Sequence, residues 1–162
     1  MKKFLILSMC ILFLMLTSCA TVGTKPVITD TFTINAPFDK VRAATVKFIS
    51  EKNIPIKVIE KASGLLNTEF FTLASGSGIS VANELNKFAV VQSNFMRVFT
   101  NLRGKLSFYV SSTDANTTQI KITSYMEVYD SMSYTWEECY SNGTVEENAF
   151  SYINQNIEIQ KQ

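Results

Sequence analysis

The chain has 162 residues, with 15 lysines and arginines against 14 aspartates and glutamates, and it contains no histidine. That near-neutral balance leaves no electrostatic footprint for nucleic acid, and the missing imidazole removes Ser-His-Asp and Cys-His nucleophile activation along with the commonest ligand for zinc or copper. Neither a cysteine cluster nor a carboxylate-rich loop takes its place, so no metal, no cofactor and no enzymatic activity are expected.

Met1-Lys2-Lys3 precedes an apolar run from Phe4 to Leu16, the charged start and short greasy core of a secretory signal. A membrane-spanning helix needs about 20 apolar residues, so this run reads as a segment that is cut away. Leu16-Thr17-Ser18-Cys19 resembles the lipobox of bacterial lipoprotein signal peptides. The resemblance implies that residues 1–18 are removed and that Cys19 becomes the first residue, carrying palmitate-type chains on its sulfur and its amine. Each buried methylene contributes about 0.8 kcal/mol, and two or more chains anchor stably where one is marginal. The alternatives are an ordinary cysteine behind a cleaved signal, or a short membrane anchor. Ala20 and Thr21 follow Cys19 where an aspartate would signal retention; by the sorting rule of enteric bacteria this implies the outer membrane, facing the periplasm.

Residues 19–29 lack periodicity and contain Gly23 and Pro26. They read as a lipidated tether reaching roughly 33 Å when extended. Residues 30–162 are expected to form one domain. Loss of Lys2 and Lys3 with the signal takes the formal charge from +1 to −1. Cys10 leaves too, and Cys19 is the lipid site, so Cys139 stands alone. A buried structural thiol is the commonest fate of such a residue; an intermolecular bridge and a reactive group are the others.

From Asp30 to Asn35 apolar and polar residues alternate, the period of a half-buried strand. Pro37 then sits where a helix can begin, and Val41, Ala44, Thr45, Phe48 and Ile49 recur at helical spacing up to Lys52. Asn53 and Pro55 end that helix. Strands are expected at 56–61 and 65–72, joined through Ala62-Ser63-Gly64 as a hairpin. Ala36-Pro37-Phe38-Asp39-Lys40-Val41, followed by Val58-Ile59-Glu60-Lys61-Ala62-Ser63-Gly64-Leu65-Leu66-Asn67-Thr68-Glu69, resembles the small envelope lipoprotein domains with a helix-grip or TBP-like fold, of which the BamC-like domains are the best-known case. Those motifs cover the first third of the mature chain and hold no active site.

Gly76-Ser77-Gly78 reads as a loop, since it lacks the lysine of a phosphate cradle. Residues 79–102 are expected to form one or two short helices, either as ordinary core packing or as a cover over the sheet, although Ala89-Val90-Val91 also suits a strand. Leu106, Phe108 and Val110, then Ile120, Ile122, Met126 and Val128, alternate with polar residues about a turn at 113–117, so two adjacent antiparallel strands follow. Tyr109, Tyr125 and Tyr129 fall on their wetter face. A last strand over 132–140 puts Tyr134, Trp136, Glu138 and Tyr140 on one side. Glu137 and Glu138 point to opposite faces and do not form an acid/base pair. Thr144-Val145-Glu146-Glu147 has the form of a capping box opening a helix to residue 158.

The expected fold is a single α+β domain, an antiparallel sheet of about five strands carrying helices 37–52 and 144–158 on one face. The expected function is non-enzymatic: a lipid-anchored module binding another envelope protein through Tyr109, Tyr125, Tyr129 and Trp136, because aromatic residues with a polar tip suit docking surfaces. The alternative is a lipid or other apolar ligand held between helix and sheet, with residues 79–102 lining or covering it.

Overall fold

The computed structural model describes residues 25–76, 78–90 and 97–159. The expected signal segment, Cys19, the tether up to residue 24, Ser77, and residues 91–96 of the expected 79–102 segment, Val91 and Phe95 among them, lie outside the described residues. The element order is β1 (Thr31–Ile34), α1 (Phe38–Glu51), β2 (Ile56–Glu60), β3 (Leu65–Thr68), β4 (Phe71–Ser75), α2 (Gly78–Phe88), β5 (Ala89–Val90), β6 (Phe99–Ser112), β7 (Thr118–Asp130), β8 (Thr135–Ser141) and α3 (Thr144–Ile159).

The architecture is built on the β6–β7 hairpin, whose strands of 14 and 13 residues stay paired from Phe99↔Asp130 to Ser112↔Thr118. Strands of that length outrun their neighbours, so each end of the hairpin recruits its own flanks. Toward the 113–117 turn, β6 pairs β3 at residues 107–109 and β7 pairs β1 at 118–121. Toward the other end, β6 pairs β4 at 101–104 and β7 pairs β8 at 126–130. With β2 outside β3 and β5 outside β8, the sheet has eight strands, all paired antiparallel.

This overturns the expectation of about five strands and two helices in a helix-grip or TBP-like arrangement. The stretch read as one strand over 65–72 is two, β3 and β4, parted at Glu69-Phe70 where the backbone leaves the β6 ladder. Within 79–102 lie a third helix, the two-residue strand β5 and the start of β6. The expected strand over 132–140 begins only at Thr135, and Tyr134 sits in the preceding turn with φ +59.

Alternation sends the even residues of β6 and β7 inward. Leu102, Leu106, Phe108, Val110, Ile120, Ile122, Met126 and Val128 are buried, against Val41, Ala44, Phe48 and Ile49 of α1 and Val145, Ala149, Ile153 and Ile157 of α3. Each of these side chains other than the two alanines contributes about 1.5–3 kcal/mol relative to exposure. Phe48 packs edge-on to Phe108 at 6.0 Å, and Phe32 stacks on Phe150 at 4.2 Å. Val81 and Leu85 bring α2 into the same core. Among the described residues the three helices therefore cover one face, and no helix lies on the other face of the sheet.

Local sequence fixes the ends of these elements. Asn53 closes α1 at φ +52, the left-handed position that asparagine tolerates, and buries Ile54 behind it. Gly64 turns the β2–β3 hairpin at φ +70; any Cβ there would lie 2.0 Å from the Val110 carbonyl oxygen. Among the described residues, no helix is long and apolar enough to cross a membrane.

Candidate functional site

On the solvent face the register fixes which side chains meet. Odd residues of β6 and β7 point outward, giving the pairs Arg103↔Glu127, Lys105↔Tyr125, Ser107↔Thr123 and Tyr109↔Lys121. One strand further, Glu127 faces Glu138 and Tyr129 faces Trp136. Two carboxylates directly opposite repel, and Arg103 relieves this. Its Nε and Nη2 donate to Glu127 Oε2 at 2.8 and 2.6 Å.

The same guanidinium is stacked. Its carbon lies 4.4 Å from the Phe70 ring centroid and 3.8 Å from that of Trp136. Arginine suits such a slot because its plane is weakly hydrated and its fork still reaches a carboxylate. Phe70 is available because the Glu69-Phe70 break frees it from the ladder. Around this centre Tyr129 meets Trp136 at 5.3 Å and Tyr125 meets Phe70 at 6.0 Å. Lys105 Nζ lies over both Phe70 and Tyr125, at 5.1 and 4.5 Å. The Tyr125 hydroxyl donates to Glu127 Oε1 at 3.0 Å, and that hydrogen bond, before burial and the charges of Glu127 and Glu138, raises the phenol above its ordinary range.

Tyr125, Tyr129 and Trp136 are thus brought together. Tyr109, 50% exposed, shares their face but lies four residues up β6 from Lys105, about 13 Å along the strand. Sequence reasoning missed Arg103, Lys105, Glu127 and Phe70. For Arg103 and Lys105 the signal existed: extending the alternation of β6 back through Gly104 puts both outward. Phe70 sits at a strand break and gave none.

Hollows among the described residues adjoin these elements. A trough of about 350 Å³ crosses the outer face beside Tyr125, touching Lys57, Val58, Asn67 and Lys105. On the helical side a cleft of about 460 Å³ is lined by Phe48, Ile54, Phe71, Leu73, Phe88 and Tyr152, among others. A third, of about 390 Å³ between residues 25–30 and β8, reaches Cys139 and Glu146.

Thiol chemistry is disfavoured there. Burial first, then the charges of Glu138 and Glu127, push the Cys139 thiol up to about 12, leaving roughly one thiolate in 10⁵ at neutral pH. Glu146 is fully buried and accepts hydrogen bonds from the Ser124 N–H and Oγ, at 3.1 and 2.5 Å, and from Ser141 Oγ at 2.6 Å. This replaces the expected capping box: the Thr144 N–H donates to Asn142 Oδ1 at 3.0 Å and Glu147 is exposed. Glu146 instead ties α3 to β7 and β8, a structural use of its carboxyl oxygens. No group of three metal-ligating side chains occurs among the described residues.

Neither a family model nor a curated protein matches this chain.

Proposed function

We propose that the protein is a non-enzymatic lipoprotein of the bacterial envelope, anchored through Cys19, whose domain docks another envelope protein on the open face of its sheet. The observation that carries this reading is the Phe70–Arg103–Trp136 stack with Tyr125 and Tyr129 around it. Trp136 is 38% exposed and the Arg103 side chain 33%. Tryptophan, tyrosine and arginine are the residue types that dominate interface energetics, and here they are already ordered by contacts with one another.

The test is a photocrosslink in cells expressing the full chain. With Tyr129→p-benzoylphenylalanine, a discrete protein adduct is expected from intact envelopes, reduced at least tenfold when Trp136→Ala is added. The same crosslinker at Lys40 on the helical face should give none. An adduct equally strong from Lys40, or none from Tyr129, overturns the docking face. An unacylated product in the soluble fraction, measured by mass spectrometry, overturns the anchor.

The 460 Å³ cleft favours a second reading, an apolar ligand between helices and sheet. Its volume is within the range of small-molecule sites and its walls are mainly aliphatic and aromatic. A lipid that co-purifies stoichiometrically, with no protein adduct at Tyr129, would place this reading first.

A further inference from the structure

The trough beside Tyr125 has a chemistry of its own. It crosses four strands, from Lys57 on β2 over Asn67 on β3 and Ser107 on β6 to Tyr125 on β7, about 14 Å at the usual strand spacing. Two lysines, Lys57 and Lys105, line it, and no aspartate or glutamate is among its lining residues. Among the described residues neither lysine forms an ion pair, whereas Arg103, two residues from Lys105, is neutralised by Glu127. Lys105 is held in place over the Phe70 and Tyr125 rings. Ser107 Oγ donates to Asn67 Oδ1 at 2.6 Å, so the carboxamide of Asn67, a lining residue, uses its oxygen in that bond and keeps its amide nitrogen as a donor. Every charged or strongly donating group there asks for an anion.

Resting on the docking reading above, we infer that this trough takes an acidic extended segment of the partner protein, seating carboxylates at Lys57 and Lys105. The two lysines stand two strands apart, roughly 10 Å between backbones, which matches carboxylates spaced along an extended chain rather than one compact anion. A phosphate site would present arginine forks or converging backbone N–H groups; here Val58, 39% exposed, and the Tyr125 ring supply apolar walls that suit a peptide.

The experiment uses the full chain in detergent and fluorescein-labelled hexaglutamate, read by anisotropy. Saturable binding is expected, at least tenfold weaker when NaCl rises from 50 to 500 mM. Lys57→Gln with Lys105→Gln should weaken it at least tenfold, Lys57→Arg with Lys105→Arg should restore it, and Lys40→Gln on the opposite face should change it less than twofold. Circular dichroism of each variant checks the fold. Equal binding of hexaglutamine, or equal loss with Lys40→Gln, overturns the inference. So does complete displacement by inorganic phosphate at concentrations well below those of competing acetate, which would make this a phosphate site. The two readings fail separately. If hexaglutamate does not bind while Trp136→Ala still abolishes the Tyr129 adduct, the acidic segment falls and the docking face stands; if hexaglutamate binds and the adduct ignores Trp136→Ala, the trough stands and the docking face falls.

Discussion

The two faces of the sheet use the same strands in opposite ways. Under the helices, the even residues of β6 and β7 form a mainly apolar layer, and the buried carboxyl group of Glu146 on α3 is enclosed there by serine donors. On the open side the odd residues form a layer of rings and charges joined by stacking and by the ion pairs Arg103–Glu127 and Lys121–Asp30. The first arrangement excludes water to stabilise the fold; the second keeps large side chains ordered in water, which costs rotamer entropy and brings little stability. Order without a stability return is what a preorganised contact surface needs.

The largest effect expected from this contrast comes from adjacent residues. Phe108 is fully buried against Phe48, and Tyr109 beside it is 50% exposed. Phe108→Ala should lower the unfolding free energy by about 3–5 kcal/mol through the cavity it leaves, while Tyr109→Ala should stay within about 0.5 kcal/mol. Urea titration followed by circular dichroism measures both. Comparable losses would mean that the open face is structural after all.

That alternation was legible in the sequence, because a period of two sustained along a whole strand marks a sheet with one buried face, and so were the apolar stripes of α1 and α3. What the sequence hid was pairing. Nothing in Leu65–Thr72 marks the point where β6 exchanges one neighbour for another, and a two-residue strand such as Ala89-Val90 has no period to read. The candidate site was half visible for the same reason. Tyr125, Tyr129 and Trp136 follow from alternation alone. The Phe70–Arg103–Trp136 stack depends on three elements meeting, and that is set by register rather than by any local pattern.

A second, smaller difference separates two glutamates. Glu146 accepts three hydrogen bonds in the core, whereas Glu138 is exposed on the other face. Glu146→Ala strands the Ser124 and Ser141 donors and should cost about 3 kcal/mol, with Glu146→Gln in between because it keeps an acceptor. Glu138→Ala should be close to neutral, or slightly stabilising, since it removes the repulsion across from Glu127. The same urea titration ranks the three variants, and a destabilising Glu138→Ala would contradict the account of the outer layer.

The finest test is a pair of titrations. Cys139 and Tyr125 both hold their protons above the ordinary value, one because it is buried and the other because its hydroxyl donates to Glu127. In each case the folded state binds the proton more tightly than the unfolded chain. The associated stability is therefore full below the unfolded pKa and declines as pH rises, for the thiol between its ordinary value near 9 and about 12. Glu127→Gln separates the causes. It should bring the Tyr125 phenolate absorbance at 295 nm in at lower pH, an assignment checked by its loss in Tyr125→Phe, and leave Cys139 unreactive toward iodoacetamide at pH 9. If the same substitution made Cys139 reactive, carboxylate charge rather than burial would be holding the thiol protonated, and the two faces would not be electrostatically separate.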